Sequence, residues 1–349
     1  MNRQQVNSQK STLVSLAAIS LSSVEAKATE WLWKNWLPLG KLVLFAGEGG
    51  TGKTNIAMSI ASTISTGGSF PDGAKCEVPG KVLIYSSEDS VHDSIKPRIM
   101  SYNGDDSNIM VMQGCYDQHG RIKPFNLDEI DKLYRYAEAN PDLRLIIFDP
   151  IVSLLKKDMN QANYVRQTLE PLLMFAEKFN CMILCITHLS KAKRDISLLD
   201  RIIGSQAFTA LARVVLATTK IQSSGECYFS KLKSNVDELQ NINLAYQIDT
   251  VLVGDDIETS TTKWGEPIEG HIDDFLIEKG GLTRLTQREK AEQIILEKLT
   301  LQSPISSKEM EAWYLAQGIS KSTAERVAAG TDMIKREKCG DIWYWSLKE

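Results

Sequence analysis

Apolar runs of β type at 42–46, 81–86, 143–148 and 181–187 alternate along the chain with stretches of helical pattern near 54–65, 90–101, 127–139 and 162–179. That alternation predicts an α/β fold with a mostly parallel sheet covered on both faces. From Val214 the texture becomes strand-rich, with runs at 214–219, 226–232 and 244–248 and a turn signal at Asn235-Val-Asp-Glu238. These read as antiparallel strands extending the sheet. The large domain is thus expected over 29–252. A mixed stretch, 253–285, contains Gly254-Asp-Asp256 and Gly280-Gly281 and reads as a linker.

Three short helices with polar starts follow, at 287–299, at 307–317 and from Ser320, and the chain closes with Cys339-Gly340 and an apolar strand at 342–347. This order predicts a small winged helix-turn-helix over 286–349, with the terminal hairpin as its wing and the third helix as a major-groove reader. The alternative is a unit that only packs or joins subunits. Trp343 and Trp345 alternate on the last strand and are expected to fill a core.

Residues 1–28 imitate a secretory signal. Arg3 and Lys10 precede an apolar stretch at 13–21, and Ala26-Lys-Ala28 resembles a cleavage site. The stretch is short and interrupted by serine, so an amphipathic arm on a cytoplasmic protein is expected. No other run approaches the ~20 apolar residues that span a bilayer.

Composition narrows the picture a little. A chain of 349 residues accommodates one sizeable α/β domain and a small second one, and a net charge of −4 means that any basic surface for nucleic acid is local. The six cysteines, at 76, 115, 181, 185, 227 and 339, form no C-x-x-C pair and read as reduced thiols, mostly in the core.

The strongest chemical signal is Gly47-Glu-Gly-Gly-Thr-Gly-Lys-Thr54, a Walker A loop between an apolar strand and a helix. A strand ending in glycines and turning into a helix aims backbone N–H groups and a positive helix end at one spot, as the phosphates of ATP require. Gly47, Gly49, Gly50, Thr51 and Gly52 would form the cradle. Lys53 would reach the β- and γ-phosphates and Thr54 would ligate Mg²⁺.

Asp149 ends its apolar strand as a Walker B acid does and is expected to support the same Mg²⁺. Glu88 lies at the carboxyl end of the strand after the Walker A helix, where ligands bind in open α/β sheets, and is the candidate for polarising the attacking water, ahead of its neighbour Asp89. His188 ends the strand at 181–187 and is a candidate γ-phosphate sensor. Lys156 and Lys157 follow Asp149, and Lys191, Lys193 and Arg194 follow His188. Both loops leave the nucleotide face, so both are expected to contact a phosphodiester backbone and to move as ATP is hydrolysed.

The ordered set of Walker A, Glu88-Asp89, Asp149, Thr187-His188, Gly204-Ser205 and Arg213 resembles the RecA-fold hexameric ATPases of the plasmid RepA type, over about residues 30–250. DnaB-like replicative helicases are more distant relatives. The resemblance implies a RecA-like P-loop core and a ring, usually of six subunits, with ATP between neighbours and single-stranded DNA in the central pore. It implies that Arg213 is an arginine finger entering the neighbour's site, with Lys231 and Lys233, spaced on one face of a strand-like run, resembling the paired basic residues that bind nucleotide in the same trans role in DnaB-like rings and sharing the task with Arg213. One departure is Ile203, where an Arg often precedes the Gly-Ser pair; Arg201 lies two residues earlier. The segment Trp31-Leu-Trp-Lys-Asn-Trp-Leu-Pro38 resembles the family's lead-in and is expected to anchor the arm, the alternative being contact with the adenine. The expected function is an ATP-dependent replicative helicase or translocase of a plasmid, phage or other mobile element, with the C-terminal unit docking duplex DNA or a replication protein. The competing readings are an ATP-switched initiator or regulator that does not unwind, and a RecA- or RadA-like recombination ATPase.

Overall fold

The computed structural model describes residues 17–156, 159, 161–190, 197–203, 205–221, 224–238, 241–278, 287–331 and 333–348. Lys157, Lys191, Lys193, Arg194, Gly204 and the first sixteen residues of the arm, all named above, lie outside them.

The chain begins its ordered core with the small ladder β1 (Trp31–Trp33) and β2 (Leu37–Pro38), then enters β3 (Leu42–Gly47), α1 (Lys53–Thr66) and β4 (Lys81–Ser86). Next come α2 (Lys96–Ser101), β5 (Ile109–Val111), a hairpin of β6 (Cys115–Tyr116) and β7 (Ile122–Lys123), α3 (Ile130–Ala139) and β8 (Leu143–Asp149). α4 (Ala162–Phe179), β9 (Met182–Ile186), α5 (Ser205–Leu211) and β10 (Val214–Lys220) complete the parallel part. β11 (Cys227–Ser234), β12 (Ile242–Val253), β13 (Ile257–Glu269) and α6 (Ile272–Glu278) follow.

One nine-stranded sheet results, in the order β13-β12-β11-β10-β3-β9-β8-β4-β5. The six strands from β10 to β5 pair in parallel, and β11, β12 and β13 extend them antiparallel. β3 and β9 are apolar at every position because both faces are covered. Leu42, Leu44 and Ala46 of β3 enter the core shared with α3 to α6, whereas Val43 and Phe45 enter the core shared with α1 and α2. The tryptophan lead-in belongs to the second core. Trp33 is fully buried, stacks on Trp36 and Phe70, and donates its indole N–H to Asp72 at 2.8 Å.

The stretch 253–285, expected as a linker, must be corrected. Its residues 257–269 form β13, paired with β12 along its length, and α6 sets Ile272 and Phe275 against the core. β13 is an edge strand with mostly solvated side chains, so its polar composition hides it.

The C-terminal unit comprises α7 (Gln287–Leu301), β14 (Ile305–Ser306), α8 (Ser307–Ala316), α9 (Lys321–Gly330), β15 (Ile334–Cys339) and β16 (Ile342–Leu347). Its antiparallel sheet runs β14-β16-β15. Ser306 and Ser320 cap α8 and α9, their hydroxyls accepting from the Glu309 and Thr323 amides. The core gathers Ile295, Leu299, Met310, Tyr314, Val327 and Trp345. Trp345 is 3% exposed, whereas Trp343 is 51% exposed, so only one of the two tryptophans expected to fill a core does so.

Candidate active site

The phosphate loop begins where β3 ends. Gly50 and Gly52 have φ of 74° and 78°, a left-handed backbone that favours glycine. A Cβ on Gly47 would sit 2.0 Å from Thr218 Oγ1, because β10 lies parallel to β3 with Thr218 beside Gly47. A Cβ on Gly52 would meet Ile248 of β12 at 2.5 Å. The loop is therefore shaped both by its own backbone and by strands lying far away in sequence.

Lys53 is buried, and its ammonium donates to the carbonyls of Gly47 at 3.1 Å and Glu48 at 2.9 Å. Burial pulls its pKa down, against the attraction of Asp149, Glu88 and Glu48. The Thr54 hydroxyl donates to Asp149 Oδ2 at 2.8 Å. Burial pushes the Asp149 carboxyl up to about 6, with Asp89 and Glu88 adding negative charge and the Thr54 bond opposing the rise.

β4 pairs with β8 so that Ser86 lies beside Asp149, which puts Glu88 just beyond the same sheet edge. Glu88 is exposed. Asp89 is tied instead to Arg98 at 3.2 Å and accepts from Ser94 at 2.5 Å. His188 follows β9, next to β3. Burial and the positive charge of Lys53 lower its pKa, while Glu88 pulls the other way. Lys53, Thr54, Glu88, Asp149 and His188 thus gather at the carboxyl ends of four adjacent strands, where an open α/β sheet binds its ligand.

The cationic candidates are dispersed. Arg213 is exposed at the opposite end of the sheet: its amide donates to Leu42 O at the start of β3, about 16 Å from the phosphate loop at ~3.3 Å per residue. Lys231 and Lys233, expected on one face of a strand, are separated by a bulge in the β10–β11 register. Lys231 is buried and bonded to Asp237 at 2.8 Å and to Asn35 O at 2.7 Å. Lys233 caps the end of α5 through the carbonyls of Thr209 and Ala212. Lys231 is thus held in a buried ion pair and Lys233 at the end of α5, on opposite sides of the bulge. Lys156 is exposed and pairs with Asp128.

Several contacts around the loop could not be read from the sequence. Tyr246 donates its hydroxyl hydrogen to Thr51 O, and the Thr51 and Thr218 hydroxyls bond at 2.8 Å. Asn55, in the first turn of α1, bonds Ser260 of β13 at 3.0 Å. Arg201 bonds Glu48 at 2.5 Å. Thr218, Tyr246 and Asn55 stand within predicted elements and Arg201 near the Gly204-Ser205 pair, but the contacts that join them to the loop are not encoded locally.

No group of three or more His, Cys, Asp or Glu that could hold a metal occurs among the described residues. One hydroxyl and one carboxylate, Thr54 and Asp149, nevertheless suit Mg²⁺, which takes few protein ligands and shares the rest with phosphate and water.

This sheet, with its glycine loop, buried lysine and strand-end carboxylates, is a RecA-like P-loop ATPase core. Residues 8–194, more than half of the chain, match the AAA domain family AAA_25, and the protein belongs to that family. No curated protein matches the chain. Among the described residues no helix is long and apolar enough to cross a membrane.

Proposed function

We propose that the protein is a ring-forming ATPase that translocates along single-stranded DNA and unwinds duplex DNA in the replication of a plasmid, phage or other mobile element. The observation that carries this reading is the position of Arg213. It is solvent-exposed and one strand length from its own phosphate loop, so it serves catalysis only by entering the site of a neighbouring subunit.

Lys53 leaves its two carbonyls for the β- and γ-phosphates of ATP. Thr54 and Asp149 would hold Mg²⁺, which when bound neutralises charge on the phosphate oxygens. Glu88 accepts a proton from the attacking water, a role closed to Asp89 by its bond to Arg98. His188 donates an N–H to the γ-phosphate, and the neighbour's Arg213 stabilises the charge of the transition state.

The loop after Asp149, with Lys156 and Lys157, and the loop after His188, with Lys191, Lys193 and Arg194, would follow the DNA backbone through the pore of a six-membered ring. An exposed pair such as Lys156–Asp128 is worth only about 0–1 kcal/mol, so Lys156 exchanges it readily for phosphate. The helix and strand order of the C-terminal unit supports the winged helix-turn-helix reading, with α9 as the element presented to duplex DNA or a replication protein.

The test is displacement of a labelled strand from forked duplexes by wild type and Lys53→Ala. ATP-dependent displacement by wild type alone is expected. ATP hydrolysis with no displacement on either tail polarity would favour a switch that governs assembly or initiation.

A further inference from the structure

A carboxylate in a loop that receives polyphosphate is electrostatically costly, yet Glu48 is the second residue of this one. Its partner is Arg201, 6% exposed, whose Nη2 reaches Glu48 Oε1 at 2.5 Å and Ser190 O at 3.4 Å. The Arg201 Nε is buried without a partner among the described residues, so the guanidinium sits where it satisfies Glu48 rather than where all its donors are met.

The backbone around this pair forms a staple. Leu189 and Ile202 make an antiparallel bridge, Ser190 N donates to Arg201 O at 2.7 Å, and Ile203 N donates to His188 O at 3.2 Å. The staple is fastened to the phosphate loop twice: Leu189 N donates to Gly47 O at 3.2 Å, and Arg201 holds Glu48. Gly47 and Glu48 are also the two residues whose carbonyls hold the Lys53 ammonium. When phosphates draw Lys53 away, both anchor points of the staple change their electrostatic environment together.

We propose that Arg201 is a positioning residue that, through Glu48, transmits occupancy of the phosphate loop to the Leu189–Ile202 staple. The link rests on the ATPase reading and deepens it: the staple closes the segment through which the loop after His188 leaves the nucleotide face. A pair that merely neutralised Glu48 would alter nucleotide affinity but carry no signal.

The test is hydrogen exchange of the full chain, in peptides carrying Leu189, Ser190 and Ile203, with and without a non-hydrolysable ATP analogue. In wild type the analogue is expected to change exchange there by about fivefold or more, the lower range of ordinary coupling energies. Arg201→Gln is expected to bind the analogue and lose that response, and the reversed pair Glu48→Arg with Arg201→Glu to regain it. Should Arg201→Gln fail to fold, Glu48→Gln removes the charge of the link from its other end, and the response is again expected to vanish. A wild type without response, a variant that binds and keeps it, or a reversed pair that does not regain it overturns the proposal. Stimulation of hydrolysis by single-stranded DNA is measured in parallel, and its absence in wild type counts against the DNA reading while leaving the exchange result to stand alone.

Discussion

The Tyr246 hydroxyl donates to the main-chain oxygen of Thr51, so a strand 195 residues downstream holds the phosphate loop in shape. Tyr246→Phe removes that bond and leaves the ring packed against Trp264. Losing one buried hydrogen bond costs about 1–3 kcal/mol. Because the lost partner is in the loop itself, weaker nucleotide binding is expected alongside lower stability. Titration with a fluorescent ATP analogue and urea denaturation separate the two, and an unchanged Kd would restrict the hydroxyl to a fold-stabilising role.

Asp149 carries a cost when no nucleotide or Mg²⁺ is bound. Its carboxyl titrates near 6 in the fold against an ordinary 3.8, a difference worth about 3 kcal/mol at ~1.4 kcal/mol per unit. A raised carboxyl contributes stability below its unfolded pKa and loses it as pH rises through the folded value. Nucleotide-free Asp149→Asn is therefore expected to be more stable than wild type at pH 7.5, with the gap closing toward pH 4, while ATP hydrolysis is lost. Denaturation at both pH values without Mg²⁺ or nucleotide checks the sign.

Lys231 distinguishes a structural cation from a catalytic one. Removing one member of a buried pair costs about 3–5 kcal/mol, since the other charge is left behind. Lys231→Met, which strands Asp237, is expected to lower the unfolding midpoint strongly while turnover per folded molecule stays near wild type. A fully folded variant with abolished turnover would return Lys231 to the active site.

Arg213 has a test that a structural role does not pass. Arg213→Ala is expected to bind ATP almost normally and to hydrolyse it very slowly. Mixed with Lys53→Ala, it should regain activity above either variant alone, because an intact phosphate loop then meets an intact arginine across a subunit boundary. No recovery on mixing, with exchange of subunits verified, would argue against action in trans.

The parallel strands could be read from the sequence because burial on both faces writes itself as unbroken apolar runs, as in β3 and β9. β13 could not, since its edge position leaves it polar. The same contrast holds in the site. Lys53, Glu88, Asp149 and His188 follow or end recognisable strands, so sequence placed them at one edge of the sheet. Tyr246, Thr218 and Arg201 come to the loop through strand register and loop closure across more than 150 residues, which no local pattern encodes. Lys231 and Lys233 do not share a face, because a single bulge breaks the alternation that strand spacing assumes.

The distribution of sulfur gives the molecule an internal chemical clock. Five of the six cysteines are buried and Cys339 alone is exposed. Cys181 and Cys185 lie in or beside β9, fully enclosed, with their thiols pushed far from ionisation by burial. An alkylating reagent should therefore add one mass increment to the native chain quickly and the others more slowly, Cys181 and Cys185 only as the sheet opens. Mass spectrometry of the labelling series then reads the opening rate of the ATPase core directly, with Cys339 recording reagent exposure in the same molecule.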